Sequence, residues 1–133
     1  MSGEILLVDD DEDDAFLFRL AASEADLARE IRAVQSGEAA LDLLLKDRLE
    51  PALIVLDIKM AGIDGLEVLR RLRADPSHRD RPVVLLTGSD LEADRAEAAR
   101  LGCRLFLTKP SSLAGYGEMA ARIKSLLDEF DKR

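Results

Sequence analysis

The sequence predicts an α/β protein built on a doubly wound, five-stranded parallel sheet. Two observations carry that prediction: short aliphatic runs recur five times along the chain, and a segment of helical character follows each of them. The runs are nearly continuous in apolar residues, as expected for strands that are buried on both faces. Such strands, alternating with helices, indicate a parallel sheet that helices cover on both sides.

The five predicted strands are spaced along the whole chain. They are Ile5 to Val8, Ile31 to Val34, Leu53 to Leu56, Val83 to Leu86 and Arg104 to Leu107. A short polar loop, "ADPSHRDRP", precedes the fourth strand.

Cap and turn residues place the helices between the strands. Gly37 marks a helix start, and Gly102 marks a helix stop. Two pairs have the spacing at which a cap side chain and a third-position carboxylate satisfy the first free amides of a helix: Asp64 with Glu67, and Ser89 with Glu92. The last helix is predicted from an apolar stripe at spacings of three and four: Leu113, Tyr116, Met119, Ala120, Ile123, Leu127 and Phe130.

Length and composition indicate one domain. The chain has 133 residues, of which 47% are hydrophobic and 35% charged, and two domains of half that length would each be too small for a core. Only a short charged tail, "DEFDKR", follows the apolar part of the last helix. We therefore expect a single domain over residues 1–133, with no output domain.

Charge and cysteine content narrow the partners and the compartment. The single cysteine, Cys103, cannot form an internal disulfide, and the sequence has neither a long apolar run nor a signal-peptide pattern. We therefore expect a cytoplasmic protein without a membrane partner. A net charge of -8 argues against direct binding of nucleic acid, because phosphate backbones are bound through clustered Lys and Arg.

The residues directly after the strands are the candidates for function, because ligands of open parallel sheets bind beyond the carboxyl ends of the strands. Those positions hold Asp9 and Asp10 after the first strand, Asp57 after the third, Thr87 and Gly88 after the fourth, and Thr108, Lys109 and Pro110 after the fifth. Three carboxylates at one edge repel one another, at a cost on the order of a few kcal/mol for each close pair. A hard divalent cation such as Mg²⁺ removes that cost and leaves coordination positions open for phosphate oxygens and water.

In these positions the sequence resembles the receiver domains of two-component response regulators. The similarity runs through "ILLVDD", "LIVLDIKMAGIDGLEVL", "PVVLLTG" and "LFLTKP", and so covers essentially the whole chain. The resemblance implies a flavodoxin-like fold with strand order 2-1-3-4-5. The loop "RADPSHRDRPVVLLT" also resembles stand-alone regulators that partner phytochromes.

The resemblance assigns a role to each candidate residue. Asp57 matches the phosphoacceptor, Asp9 and Asp10 match the acidic pair around Mg²⁺, Thr87 matches the switch hydroxyl, and Lys109 matches the lysine that pairs with phosphate. We expect Mn²⁺ to substitute for Mg²⁺.

Four further positions are carried over from the family. Pro110 matches the proline after a cis peptide bond, and Lys59 would offer its backbone carbonyl to the metal. The backbone amide of Gly88 would contact the phosphate, and Phe106 would be the aromatic side chain that switches with Thr87. Gly88 and Phe106 are also departures, because the family more often has alanine and tyrosine there, and Ala61 replaces a usual proline.

The run of six acidic residues after the first strand divides into two parts. Asp9 and Asp10 adjoin a buried strand and are assigned to the metal. Asp11, Glu12 and Asp13 fit the first turn of the next helix, where carboxylates meet the positive end of the helix dipole. The segment from Asp11 to Asp14 is therefore interpreted as a solvated acidic cap. An EF-hand starting at Asp9 would need Gly at position 14 and Glu at position 20, where this chain has Asp and Leu.

The function implied is that of a response regulator which takes a phosphoryl group from a sensor histidine kinase, or from a histidine phosphotransfer protein, onto Asp57. Such a protein is a phosphoacceptor with slow autodephosphorylation rather than an enzyme acting on a separate substrate. Its output would be phosphorylation-dependent association, as a homodimer or with another protein. A phosphate shuttle or sink in a phosphorelay is the alternative.

Two other functional classes remain open from the residues alone. A phosphatase of the haloacid dehalogenase type also uses an aspartate after a strand with Mg²⁺, but it needs a second Asp where this chain has Lys59. A flavodoxin would bind FMN through a Ser/Thr/Gly-rich loop after the first strand, where this chain has six acids. A colourless purified protein would argue against the flavodoxin.

The sequence also suggests surfaces and buried positions. Phe16, Leu17 and Phe18 span about 200° of a helix, so at least one must point away from the core, and Phe18 is the residue we expect to contact the kinase. Association would use the Ala-rich helix from Leu91 to Leu101, the fifth strand and the last helix, including Ala96, Ala99, Leu101 and Tyr116. We expect His78 to be an ordinary surface residue and Cys103 a small buried one.

Overall fold

The computed structural model describes residues 3–88 and 92–132 as a single five-stranded parallel sheet with five α-helices around it. The strand order is β2-β1-β3-β4-β5, which confirms the predicted doubly wound fold. In chain order the elements are β1 (Ile5–Val8), α1 (Glu12–Glu24), β2 (Ile31–Val34), α2 (Gly37–Leu41, followed by a π-helical turn over Asp42–Lys46), β3 (Leu53–Asp57), α3 (Gly65–Arg73), β4 (Val83–Thr87), α4 (Glu92–Arg100), β5 (Leu105–Thr108) and α5 (Leu113–Asp131).

The predicted strands are all present, with shifts of one residue. β3 and β4 each run one residue further than predicted, and β5 begins and ends one residue later. All four neighbouring pairs are parallel, with Val8 opposite Leu56 and Thr87 opposite Thr108. The carboxyl ends of the strands therefore meet at one edge, as the assignment of the site requires.

The sheet separates two hydrophobic clusters. One lies between the sheet and α1 with α5, and it includes Phe18, Tyr116 and Ile123. The other lies beneath α2, α3 and α4, and it includes Leu44 and Leu69. β1, β3 and β4 are buried on both faces, which explains their uninterrupted apolar sequences.

Helix starts are set by side chains that satisfy free amides. The Asp11 carboxylate accepts hydrogen bonds from the amides of Asp13 and Asp14, and the Asp64 carboxylate accepts one from Glu67. Gly37 begins α2 as predicted, and Gly102 has a φ of +72° just after α4, a conformation that glycine adopts without strain. The predicted cap Ser89 lies outside the described residues, as does Leu91.

Three expectations about individual side chains are wrong. Phe18 is 1% exposed in the core, whereas Phe16 is 63% exposed, so the helical phase of α1 points the other aromatic outward. Tyr116 is buried between α5 and the sheet and cannot contribute to a surface. His78 is fully buried, and its Nε2 lies 2.9 Å from the carbonyl oxygen of Leu44.

Helix α4 is the least embedded helix. Among its described residues only Ala98 is buried, which agrees with the small side chains of this segment. Cys103, just before β5, is partly buried against the cluster beneath α4. None of the helices within the described ranges combines the length and the apolar character needed to cross a membrane.

Candidate functional site

Three carboxylates meet where β1 and β3 end. One oxygen each from Asp9, Asp10 and Asp57 lies within 4.8 Å of the others. Asp9 and Asp57 are each only 4% exposed, whereas Asp10 is exposed. The structure thus brings together the three aspartates predicted from the strand ends.

Strand pairing and backbone hydrogen bonds hold these residues in place. Because Val8 is paired with Leu56, the next residues of the two strands, Asp9 and Asp57, are neighbours at the edge. The Asp9 amide donates to the Val34 carbonyl at 3.1 Å, and the Asp9 carboxylate accepts from the Asp11 amide at 2.9 Å. Two carboxylates are therefore fixed by main-chain geometry before any cation binds.

The ammonium of Lys109 lies among the carboxylates. Its Nζ is 3.1 Å from Asp9 and 3.0 Å from Asp57, and the Lys109 amide donates to the Thr87 carbonyl at 2.7 Å. The predicted convergence of Lys109 on the acidic edge is therefore present. The partly buried ammonium of Lys109 offsets part of the repulsion between Asp9 and Asp57.

A fourth carboxylate, Asp14, was not predicted to take part. Its Oδ2 lies 2.8 Å from Lys109 Nζ, so this aspartate is part of the site and not only a solvated cap. Side chains of a helix tilt toward its amino end, and Asp14 is the third residue of α1, which starts at this edge of the sheet. That position in the first turn is the sequence signal that could have identified it.

Burial and the neighbouring charges shift the ionisation of the site in opposite directions. Burial raises the pKa values of Asp9 and Asp57 above their ordinary range, although the Asp11 amide and Lys109 work against this at Asp9, and Lys109 does so at Asp57. Burial lowers the pKa of Lys109, but the carboxylates of Asp14, Asp57 and Asp9 together raise it above the ordinary value. The lysine therefore stays charged, and the carboxylates are held in an environment that favours a further cation.

The donor set fits Mg²⁺. Mg²⁺ is bound by a few carboxylate oxygens with the remaining positions left to water and phosphate. The oxygens of Asp9, Asp10 and Asp57 provide such a set at an edge that remains open on the side of Asp10. The contribution of the Lys59 carbonyl remains a prediction; the structure shows that its amide donates to Asp57 and its ammonium lies 4.0 Å from Asp94 of α4.

The proposed switch residues lie on one face of the sheet. Leu85 is opposite Phe106 in the β4–β5 pair, so Thr87, two residues further, is diagonal to Phe106 on that face. Thr87 is fully buried, and Phe106 is partly buried with the Arg95 guanidinium of α4 4.6 Å from its ring centroid. Gly88 is exposed at the end of β4, and a Cβ there would meet no atom within 4 Å.

The expectation of a cis peptide bond before Pro110 is wrong for this structure. The described residues contain no cis peptide bond, so the Lys109–Pro110 bond is trans. Trans is the lower-energy form of an X–Pro bond by about 0.5–1 kcal/mol. Lys109 contacts both Asp9 and Asp57 with the bond in that form.

Gly65 also belongs to the site, although it was not among the residues predicted from the sequence. A Cβ at this position would lie 2.4 Å from the Asp57 carbonyl oxygen, and the Gly65 amide donates to the Ile58 carbonyl at 3.0 Å. The first turn of α3 therefore packs directly on the backbone of Asp57. The signal was the glycine directly after the cap Asp64, in "IDGLEVL".

Comparison with known proteins gives one family. Residues 5–121 match the model of the response regulator receiver domain. The chain is 37% identical over 136 residues to the response regulator PleD of Caulobacter vibrioides and 37% identical over 127 residues to the response regulator MprA of Mycolicibacterium vanbaalenii. Those alignments cover 100% and 96% of this chain but only 29% and 51% of the two relatives, so the chain spans from under a third to about half of their length.

Solved structures agree with the architecture. The phosphorylated cyanobacterial phytochrome response regulator RcpA has a TM-score of 0.85 at 27% identity, covering 96% of this chain and 94% of that one. The Mn²⁺-bound form of the response regulator Rcp1 has a TM-score of 0.82 at 30% identity, covering 92% of each chain. The bacteriophytochrome response regulator RtBRR has a TM-score of 0.76 at 36% identity, covering 93% of this chain and 78% of its own.

Proposed function

The chain belongs to the response regulator receiver domain family of two-component systems, and on that basis we propose that it accepts a phosphoryl group on Asp57 from a histidine kinase or a histidine phosphotransfer protein. The observation that carries the proposal is the position of Asp57. Its carboxylate lies 3.0 Å from Lys109 Nζ and within the acidic cluster of Asp9 and Asp10, at the carboxyl edge of the sheet. The protein is a signalling phosphoacceptor.

The reaction moves one phosphoryl group between two nucleophiles. A carboxylate oxygen of Asp57 attacks phosphorus in line, the P–N bond of the donor phosphohistidine breaks, and the released imidazole nitrogen takes up a proton. Mg²⁺ bound by the aspartates would supply charge neutralisation for the phosphoryl oxygens. The chain's own part is to favour the charged form of the Asp57 carboxyl and to hold it in place, through the ammonium of Lys109 and the amide of Lys59.

Other side chains act on the product. The Thr87 hydroxyl and the Gly88 amide would donate to the phosphoryl oxygens, with Lys109 moving from the carboxylate to the phosphoryl group. The acyl phosphate is open to water from the exposed side of the site, so slow autodephosphorylation is expected. The side chain of Lys59, which is exposed beside Asp57, narrows that path.

The first test is the site of phosphorylation. With acetyl phosphate and Mg²⁺, intact-mass measurement should show one added phosphoryl group on the parent protein and none on Asp57→Asn. Asp13→Asn, which removes an exposed carboxylate from the same acidic run, should be labelled as the parent is. Full labelling of Asp57→Asn would overturn the assignment.

The metal is tested separately. Labelling should require Mg²⁺ or Mn²⁺, and Asp10→Ala should weaken the binding of Mg²⁺ because it removes an anionic oxygen from the cluster. Asp13→Ala serves as the matched variant outside the cluster. Identical metal titrations of Asp10→Ala and the parent would show that Asp10 is not a ligand.

Docking of the kinase is proposed at the exposed face of α1, and Phe16 replaces Phe18 as the residue expected to make the contact. Phe16 is a large hydrophobic side chain that is 63% exposed on the helix that starts at the phosphoacceptor edge. Phe16→Ser should slow transfer from the cognate kinase and leave labelling by acetyl phosphate unchanged, because the small donor needs no docking surface. Equal kinase transfer in the variant and the parent would remove this surface from the proposal.

The output is proposed to be a change of association, with a phosphate shuttle or sink as the alternative. Phosphorylation would draw the Thr87 hydroxyl inward and let Phe106 turn into the vacated space, remodelling the surface of α4, β5 and α5. Because Arg95 lies over the Phe106 ring, a turn of that ring would break a contact with α4. A ligand shifts such an equilibrium only through different affinities for the two states.

Association is tested by sedimentation and partner titration with and without beryllofluoride. We expect a homodimer or a kinase complex whose stability differs between these states, and Thr87→Ala should abolish the difference. Identical association in both states would favour the shuttle or sink. Because the neighbours RcpA and RtBRR are named for phytochromes, a phytochrome-type kinase is the first candidate partner to assay.

A further inference from the structure

An arginine-lined cleft lies at the opposite edge of the sheet, where β4 and β5 begin. It has a volume of about 590 Å³, and the end of α3 and the segments before β4 and β5 form its walls. Its lining residues are Arg73, Arg79, Asp80, Arg81, Arg100, Leu101, Gly102, Cys103 and Arg104. Five arginines and one aspartate thus line one cleft in a chain whose net charge is -8.

Arg73 forms the fixed part of this cleft. Its guanidinium donates to the carbonyls of Leu101 at 2.7 Å, Arg81 at 2.9 Å, His78 at 3.0 Å and Gly102 at 3.2 Å. These four acceptors are neutral, and within residues 3–88 and 92–132 Arg73 makes no ion pair with a carboxylate. The side chain thus ties the two loops together through neutral acceptors at the base of the cleft.

The other arginines of the cleft differ in whether a carboxylate lies close enough to form an ion pair with them. Arg81 is nearly buried and lies 3.7 Å from Glu50, and Arg100 pairs with Glu97. Arg79 and Arg104 are exposed at the rim, and neither makes an ion pair within the part of the chain that the structure describes. Arg104 lies instead over the Phe130 ring, with its guanidinium carbon 4.8 Å from the ring centroid.

We propose that this cleft binds the phosphate groups of a small anion that carries at least two phosphates. The planar guanidinium fork matches phosphate oxygens in a bidentate manner. Arg73, Arg79 and Arg104 make no ion pair among the described residues, and against Asp80 they leave an excess of two positive charges. Arg81 and Arg100, each paired with a glutamate outside the lining, add further guanidinium donors. The volume falls within the range of small-molecule sites, about 300–1,000 Å³. The lining contains no aromatic side chain to stack a base, so recognition rests on the phosphates.

The burial of Arg73 supports a bound anion. Burial lowers the pKa of its guanidinium, whereas nearby Asp80 acts in the opposite direction. A partly buried charge whose hydrogen-bond partners are all neutral gains more from an incoming anion than a fully solvated charge does. A phosphate bound by Arg79 and Arg104 at the rim would also be attracted by the positive charge of Arg73.

The proposal is tested by calorimetric titration of the metal-free protein, in EDTA and about 0.1 M salt, where Debye screening extends to about 10 Å. Inorganic pyrophosphate and ADP should both bind, with affinities within about threefold of each other because the base makes no built contact. Arg79→Gln should weaken both about tenfold, and the double variant Arg79→Gln/Arg104→Gln should weaken them further. Arg122→Gln, which removes an exposed charge from α5 outside the cleft, should bind as the parent does.

The experiment separates this site from the phosphoacceptor edge. Asp57→Asn should bind pyrophosphate with unchanged affinity, so failure of the phosphoacceptor assignment and failure of the cleft proposal give different results. ADP binding at least tenfold tighter than pyrophosphate would identify nucleotides as the source of the phosphates. Equal affinity of the parent and the double variant, or preference for a poly-glutamate peptide over pyrophosphate, would overturn the proposal.

Discussion

The two edges of the sheet hold opposite charges, and they hold them by different means. At the carboxyl edge, carboxylates that follow directly on strands surround one ammonium, that of Lys109. At the amino edge, guanidiniums from a helix end and two loops surround carbonyl groups, with Arg73 at the base. The first site is held by the backbone of the sheet, and the second is held by a side chain.

That difference predicts what each site tolerates. A strand end keeps its direction when a side chain is replaced, because its ladder hydrogen bonds remain. Loops tied by one guanidinium lose their alignment when that guanidinium is removed. The acidic edge should therefore respond to changes of charge, and the basic edge should respond to loss of Arg73 itself.

The largest effect is expected at the acidic edge. Lys109→Met leaves Asp9 and Asp57 buried without their cation and should lower the free energy of unfolding by about 3 kcal/mol in EDTA. Added Mg²⁺ should restore part of that loss. Lys46→Met, at an exposed ion pair, should change the stability by less than about 1 kcal/mol. Urea unfolding with and without Mg²⁺ measures the stability of both variants. If Lys109→Met loses no more stability than Lys46→Met, Lys109 does not stabilise a buried carboxylate cluster.

A loss of about 2 kcal/mol is expected from Arg73→Met at the basic edge, because partly buried carbonyls of the two loops lose their donor. Arg71→Met on the same helix removes an exposed ion pair and should cost less than about 1 kcal/mol. Urea unfolding of the two variants compares them directly. Equal stability of the two would show that the loops do not depend on Arg73.

Gly65→Ala tests the backbone packing at the acidic edge. The new methyl group would lie 2.4 Å from the Asp57 carbonyl, so we expect a loss of about 1–3 kcal/mol and slower labelling by acetyl phosphate. Gly117→Ala in α5, where a Cβ meets nothing within 4 Å, should stabilise the protein by about 0.5–1 kcal/mol. Thermal unfolding of both variants provides the measurement, and a stabilised Gly65→Ala would exclude close packing of α3 on Asp57.

The smallest effect concerns the pH dependence of the basic edge. Burial lowers the pKa of His78, which faces Arg81 and Leu44, with Asp75 nearby acting in the opposite direction. Since the unfolded chain takes up the proton first, the stability contributed by neutral His78 is present above about pH 6.5 and is lost as the pH falls below it. The slope is at most about 1.4 kcal/mol per pH unit.

His78→Gln isolates that contribution. It should make the loss of stability between pH 6.5 and pH 5 shallower than in the parent, in urea unfolding at several pH values. The carboxylates whose pKa values are raised titrate equally in the parent and in His78→Gln. Their contribution therefore cancels when the two stability profiles are subtracted. Parallel stability profiles would mean that His78 is protonated in the folded state as readily as in the unfolded chain.

The sequence alone determined the sheet and most of the acidic edge. Aliphatic runs located all five strands. β1, β3 and β4 are apolar throughout because they are buried on both faces, whereas the edge strands β2 and β5 are partly exposed and were recognised from shorter apolar stretches. Asp9, Asp10, Asp57 and Lys109 were found because each directly follows a strand, and the carboxyl ends of parallel strands converge. These are consequences of local sequence and of one topological rule.

Which side chains of the helices and loops reach either edge depends on tertiary packing. The apolar sequence of α1 leaves its rotation open by one or two residues, and packing against α5 buried Phe18 and exposed Phe16. The same packing directed Asp14 to Lys109. The arginines of the cleft are spread from position 73 to position 104, and they meet because β4 and β5 are parallel neighbours, so that the segments leading into them lie side by side. Convergence of residues that far apart depends on how the elements pack, which no local pattern in the sequence encodes.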